Sequence, residues 1–433
     1  MYRSASTLTT LAVTLSLSAC VSAGERLEQG MEAEASGRWY GAANRYIETL
    51  EKDAGMEEAR TRLMVVGDSA IRQSLREVED WLSSGNAVDA GEEYHRVDGL
   101  LSRAGRVGVR LPTPRTYTET RRSAFDAAIH ELMDLSERAR TQRDWQTGRR
   151  ALNRVRSDFE PSDRQRRESL REESRLLLDW ALASEAAHHP RQAHGLAGEA
   201  LAIPQAPPDV AEAAAALQHR AVASGTMALV VFPVGARPEV QDRSEADLAR
   251  LLSDALELDH WRNPPLFVSV ADPLIVRAMT RRINPAGTLF RPERVMDELE
   301  ADFGVLIDID SMAVAEERVR RQTRTTETRR GGEATYSREE GTLAYEVQAR
   351  VLLLDGEGRE LEDFMVGHRE SGPFERGIYD QDPRSLRLSR TEARLFDPIV
   401  LAQQRAGIED ALMTQLARRI ADQVFQSVLR RIP

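Results

Sequence analysis

The pattern of apolar residues changes once along this chain, near residue 225, and that change limits what it can fold into. From 25 to 223 no segment alternates apolar and polar residues, and Ala, Leu, Glu and Arg dominate. These residues favour helix. Four stretches repeat a turn, a small residue and a helix: "ASGRWYGAANRYIETL" (35–50), "SSGNAVDAGEEYHRVDGLL" (83–101), "TQRDWQTGRRALNRV" (141–155) and "AAHHPRQAHGLAGEAL" (186–201). Ala43, Tyr46, Ile47 and Leu50 fall on one helical face, as do Ala90, Tyr94, Val97 and Leu101. Gly37 and Gly85 stand where one helix must stop and the next begin. The sequence therefore predicts stacked helical hairpins, interrupted in the middle by "VRLPTPRTY" (109–117).

Beyond "AIPQAPPDV" (202–210) and one more helix (210–223), the period becomes that of strands. "TMALVVFPV" (226–234) is short, β-branched and closed by Pro233, as a buried strand is. An amphipathic helix (242–258), a strand (265–272), a helix (273–283) and a second helix (291–304), with Pro292 at its start and Gly304 at its end, lead into the strand "GVLIDID" (304–310). Extended segments are expected at 314–330, 342–354 and 358–371, the last beyond the turn Asp355–Gly358. Ile408, Leu412, Leu416, Ile420, Val424, Val428 and Ile432 then recur at four-residue steps on one long amphipathic helix. The fold class is multidomain: an all-α helical-hairpin array (25–224), then an α/β (α+β) domain with a mixed sheet and a long C-terminal helix (225–433).

The Gly-aromatic turns and small residues of the first half resemble a tetratricopeptide-type array, although the recurrence of about 45–60 residues exceeds the regular spacing of that family. Such an array implies protein binding, and Trp39, Tyr40, Trp81 and Trp145 are candidates either for a peptide groove or for hairpin core. In the second half, "MALVVFPV", a helix, "FVSVADP", a helix and "ELEADFGVLIDIDSM" resemble the domain shared by curli-secretion-channel lipoproteins, the amino-terminal domain of TolB-type proteins and lipoprotein activators of peptidoglycan synthases. The curli channel inserts long hairpins into the outer membrane. The matching region here, 317–355, has no large apolar residue between Arg320 and Arg330. Arginine at the bilayer midplane costs about 2–4 kcal/mol, so the resemblance implies a water-exposed hairpin and no pore.

The start of the chain bears on address. Arg3 precedes a short apolar run (8–17), too short to span a bilayer as a helix. Such a segment reads as a secretory signal. Leu17-Ser18-Ala19-Cys20 resembles the lipobox of bacterial lipoproteins. That resemblance implies a signal peptide (1–19), a lipidated Cys20 with a short tether (20–24), and anchoring by more than one acyl chain, since one is marginal. Val21 in place of Asp implies the periplasmic face of the outer membrane. Cys20 is the one cysteine of 433 residues, so the folded part carries no disulfide.

The net charge of −11 argues against a nucleic-acid partner, which rewards basic surfaces. Lys52 is the single lysine and has no Gly-rich loop, which excludes a phosphate-cradling loop ending in lysine. The histidines, His188, His189 and His194 among them, form no metal pattern, and no nucleophile pairs with a base. Asp308 and Asp310, two apart on a strand, fit either a cation or an acid/base pair, or a solvated strand end. "DGEGRE" (355–360) reads as a hairpin turn. The sequence thus predicts no enzyme, no cofactor and no metal. It predicts an outer-membrane lipoprotein that acts as a protein-binding adaptor or assembly factor, with the membrane and periplasmic or outer-membrane proteins as partners. The alternative is an oligomeric ring-forming secretion component.

The basic stretch "RVRRQTRTTETRR" (318–330) holds six arginines and one glutamate. Strand alternation puts Arg318, Arg320 and Arg324 on one face and Arg321 and Arg329 on the other. Either they guard an exposed edge, or they grip an acidic neighbour, another protein or another copy of this one.

Overall fold

A computed structural model of the chain describes residues 22–235, 243–284 and 289–433. Its first half is a succession of helical pairs: α1 (Ala23–Ala35) with α2 (Trp39–Lys52), α3 (Glu57–Ser83) with α4 (Ala87–Arg106), α5 (Tyr117–Thr141) with α6 (Trp145–Ser157), and α7 (Asp163–Ala186) with α8 (Pro190–Ala202). A single helix, α9 (Pro208–Gly225), follows. All four pairs turn in the same way. The middle residue of each turn has a positive φ: Gly37 (70°), Gly85 (80°), Arg143 (61°) and His188 (60°). The next amide donates back across the turn: Arg38 to Ala33 O (2.9 Å), Asn86 to Trp81 O (2.9 Å), Asp144 to Ala139 O (2.8 Å) and His189 to Ser184 O (2.9 Å). This is the glycine-type helix stop. Two of the four turns achieve it with glycine and two without.

Two compact units divide the described residues: one runs to Trp180 and adds Glu199–Ala213, the other comprises Ala181–Gly198 and Ala214–Pro433. In the first unit, Tyr46, Ile47, Leu50, Leu63, Tyr94, Leu100 and Ile129 make a continuous core. Gly91 sits under Phe159, where an added Cβ would come within 2.5 Å of Cε1. The candidate groove aromatics are mostly packing residues. Trp39 and Tyr40 lie against the core, Tyr40 Oη donates to Arg96 O (3.2 Å), and Trp145 stacks on Trp180 at 6.5 Å. Trp81 alone of the four stays 39% exposed.

The second unit holds a five-stranded mixed sheet, β1 (Met227–Val231), β2 (Val268–Val270), β3 (Phe303–Glu327), β4 (Glu333–Asp355) and β5 (Glu360–Ile378), in the order β2-β1-β3-β4-β5. β1 is parallel to β2 and to β3, while β3, β4 and β5 are antiparallel. Its helices are α10 (Arg243–Leu256), α11 (Pro273–Ile283), α12 (Pro292–Glu298), the short α13 (Arg390–Ala393) and α14 (Pro398–Leu429). α14 lays Ile408, Leu412, Leu416, Ile420, Val424 and Val428 over Leu343, Tyr345, Val347, Ala349, Val351 and Leu353, alternate residues of β4. Ile432 is buried too, but beyond the helix end. On the other face Leu306, Leu352 and Leu354 pack with Val276, Val295 and Met296.

Two expectations need correction. The second helix of the α/β half ends at Glu298, not near 304: Glu300 takes a positive φ of 49° and Gly304 is already paired with Val230 in the sheet. Gly304 is required there by the Met296 side chain, which occupies the place of its missing Cβ. The segments expected at 304–310 and 314–330 are one continuous strand, β3, because β4 runs opposite it without a gap from Phe303 to Glu327 apart from two bulges.

Candidate partner-binding arm

The outer halves of β3, β4 and β5 form an arm beyond the region that β1 covers. β1 pairs with β3 only at Phe303–Val305, and two further amides, Phe232 to Val305 O (3.0 Å) and Gly235 to Ile307 O (2.8 Å), complete that contact. At the far end, Arg387 N donates to Glu327 O (2.7 Å) and Thr326 Oγ1 to Arg387 O (2.8 Å). Between these points, from Ile309 to Thr325, the backbone of β3 bonds to β4 on one side and to no described residue on the other. The side chains along this stretch are nearly all exposed.

The register decides what each arginine does. Arg321, Glu339 and Arg376 lie directly across from one another on β3, β4 and β5. Glu339 has only 3% of its side chain exposed. It accepts from Arg321 Nε (2.8 Å) and from Arg376 Nε (2.8 Å). Arg376 also reaches both carboxylate oxygens of Glu316 (2.6 and 2.9 Å). The hydrogen bonds from Arg321 and then Arg376 hold the Glu339 carboxyl below its usual range. Nearer the tip, Tyr336 Oη donates to Glu392 (3.1 Å), and burial, then that carboxylate, pushes the phenol up.

Arg320 and Arg324 share the opposite face, across from Glu340 and Tyr336. Arg318 does not join them by alternation. A bulge between Glu317 and Arg320 takes Arg318 out of the ladder with a φ of 52°. Arg324 donates to Gln322 Oε1 (3.1 Å). Among the described residues, the Arg318 and Arg320 side chains have no hydrogen-bond or ion-pair partner. Arg329 lies past the strand, where its amide donates to Ser385 O (2.8 Å). The first bulge, between Ile309 and Ser311, likewise removes Asp310 from alternation, so Asp308 and Asp310 are not a same-face pair as the sequence predicts. Sequence reading missed Glu339, Arg376 and Glu316. Their grouping needs the three-strand register, which no spacing along the chain reveals.

Elsewhere, Asp355–Gly358 is the expected hairpin turn: the Asp355 carboxylate accepts from Glu357 N (3.0 Å) and Arg359 N (2.9 Å), and Gly358 has a φ of 78°. His188 occupies a helix-hairpin turn and His194 packs edge-on against Phe267 at 5.5 Å. A cleft of about 590 Å³ opens at the C-terminal end of β2, lined in part by Glu257, Trp261, Arg262 and Asp272. Its carboxylates are engaged. Glu257, whose pKa burial raises, is bonded by Arg277, and Asp272 caps α11 through Leu274 N (2.8 Å). Cys20 lies outside the described residues. No described helix is long and apolar enough to cross a membrane.

No family model matches the chain, and no curated protein matches it. Among solved structures it is similar to a hypothetical protein from Chlamydia trachomatis, at 13% identity over 47% of this chain and 98% of that one, with a TM-score of 0.25. A likeness that low carries no argument.

Proposed function

We propose that this chain is a non-catalytic lipoprotein of the bacterial envelope, anchored through Cys20 at the periplasmic face of the outer membrane, that binds other proteins in envelope assembly or secretion. The observation that carries the binding part is the β3 arm: a long strand edge whose outer backbone groups, and whose Arg318 and Arg320 side chains, have no partner among the described residues, in an otherwise acidic protein. Open edges recruit strands by main-chain bonds, and guanidinium groups suit forked contacts to carboxylates. The address rests on the lipobox resemblance and the curli-channel, TolB and synthase-activator family reading on the order of elements in the sheet unit. The ring-forming secretion reading is favoured by one feature, that β5 is a sheet edge and the outer stretch of β3, beyond its pairing with β1, meets no other described strand, so that one copy's β3 has another copy's β5 available to it.

Two experiments test the proposal. Arg318→Ser, Arg320→Ser and Arg324→Ser together should abolish capture of partners by crosslinking in whole cells while the protein stays folded; unchanged capture at low and high salt sinks the arm as a binding surface. Cys20→Ser should release the protein from outer membranes. If that variant still fractionates with them after a high-salt wash, the anchor is elsewhere.

A further inference from the structure

Between its two bulges β3 is regular. Ser311 to Glu317 pair with Gln348 to Thr342 without a shift, and Val314 is the centre of that segment. The segment, "SMAVAEE", contains no lysine, arginine or proline, and its two charged residues, Glu316 and Glu317, are neutralised by Arg376 and Arg369, so it lacks an unpaired charge or a proline with which natural edges refuse a neighbour. Met312 and Val314 stand across from Val347 and Tyr345, on the face that α14 covers, yet they remain 36% and 53% exposed while Val347 and Tyr345 are buried. The apolar layer therefore runs on to the edge with Met312 and Val314 left open among the described residues.

The charges flanking the segment are arranged about the same centre. Asp310, in the first bulge, has no side-chain partner among the described residues, and neither has Arg318, in the second. The nearer acidic residues are already engaged, Glu316 by Arg376 and Glu317 by Arg369. Within 310–318 the described residues leave over one negative charge four residues before Val314 and one positive charge four residues after it.

We propose that the occupant of this edge is a second copy of the same chain, paired antiparallel over the regular run 311 to 317 about a two-fold axis through Val314, with the bulged Asp310 and Arg318 flanking it. In that pairing Val314 meets Val314 of the other copy, Met312 lies diagonal to it, and Asp310 faces Arg318 at both ends. An antiparallel pair of identical strands brings opposite charges together where charge reverses sign about its centre, as it does between Asp310 and Arg318. The interface is isologous and closes at two copies. The proposal rests on reading the arm as a protein-binding surface and names what binds it.

Sedimentation of the full chain in mild detergent should give a dimer that dissociates on dilution. A monomer at every concentration, or a closed particle of many copies, overturns the proposal; the broader binding reading is then still judged by capture of other envelope proteins in cells. Val314→Lys, at an exposed side chain, should leave the circular dichroism unchanged and the protein monomeric; a persisting dimer overturns the proposal. Asp310→Arg alone and Arg318→Asp alone each place like charges opposite and should weaken the dimer by about tenfold or more, and the two together should restore it. Failure of the pair to restore it overturns the register. In a Cys20→Ser background, Val314→Cys should form an intermolecular disulfide under mild oxidation, since directly opposed Cα atoms lie about 4.5–5.5 Å apart, within disulfide reach. No crosslink in a dimeric sample overturns the placement of the axis.

Discussion

Glu339 is the group whose removal tests whether the arm is held rigid from within. It is a carboxylate with 3% of its side chain exposed, and two guanidiniums meet it from the two neighbouring strands. Glu339→Gln keeps the shape and one acceptor but removes the charge. A hydrogen bond to a charged group contributes about 1.5–3 kcal/mol, which sets the upper scale. The groups left behind are both cations with alternatives. Arg321 is 64% exposed and turns to water, and Arg376 keeps Glu316. The expected cost is therefore in the lower part, about 1–2 kcal/mol. Arg376→Met runs the other way. It leaves the buried carboxylate with Arg321 alone and also removes the guanidinium from over the Phe374 ring, 5.3 Å away. Breaking a buried pair costs about 3–5 kcal/mol when no partner remains; with Arg321 retained, about 2–3 kcal/mol is expected. Hydrogen exchange of the β4 and β5 amides reads both variants locally. The refuting result is the reverse order, with Glu339→Gln the costlier change, or no change in exchange for either.

The same residue fixes a pH dependence. The folded Glu339 pKa is below its ordinary value of 4.5. Its contribution is therefore complete above the ordinary value and decays as pH falls through the folded one. The difference between the wild type and Glu339→Gln should be constant from neutral pH down to about 5 and shrink below 4.5 as the wild-type carboxyl takes up its proton.

Two further predictions concern the rest of the chain. Because Arg143 and His188 occupy the positive-φ position that glycine fills at 37 and 85, Arg143→Gly and His188→Gly should each stabilise by about 0.5 kcal/mol, the left-handed strain outweighing the added freedom of the unfolded chain, while Gly37→Ala should cost about 1 kcal/mol; urea titration midpoints check the signs. A fragment starting at 181 should be more resistant to urea than one starting at 224, because the longer fragment retains the Arg191 contact to Leu429 O (2.5 Å), the packing of His194 on Phe267 and that of Pro190 on Gly225.

The helical half was legible because its signals are local. Each pair carries its own stop, its own aromatic and its own small residues, and the turn at Gly37 or Gly85 is decided within six residues of sequence. The α14 face was legible for the same reason, as its period needs no partner to be read. β3 was harder. Its first residues are apolar because β1 and α12 bury them, and its last are polar because they are largely exposed beyond β1, so the composition changes within one strand and reads as two segments with a break. The bulges at Asp310 and Arg318 were invisible, since a bulge is a mismatch in count between two strands and appears only once both are placed. That mismatch moved Arg318 off the face of Arg320 and undid the pairing of Asp308 with Asp310. The grouping of Arg321, Glu339 and Arg376 depends on the same register.

The run of arginines in β3 therefore divides by register into two kinds, and one comparison separates them. Arg321 is bound inside the sheet to Glu339, whereas Arg320, the adjacent residue, lies on the other face with no side-chain partner among the described residues. Arg321→Ser removes one of the two cations that neutralise a buried carboxylate, so it should loosen the arm, speeding exchange of the β4 amides near Glu339, and raise the pH at which the arm weakens. Arg320→Ser removes an exposed charge that makes no hydrogen bond or ion pair with the described residues, so it should leave exchange and acid sensitivity as they are and change only what the arm binds. Both variants remove one positive charge from the same strand, so an effect of net charge alone would move the two together. Equal shifts in amide exchange for Arg320→Ser and Arg321→Ser would mean that the alternation has no part in the division of labour, and the assignment of one arginine to the fold and its neighbour to the surface would have to be given up.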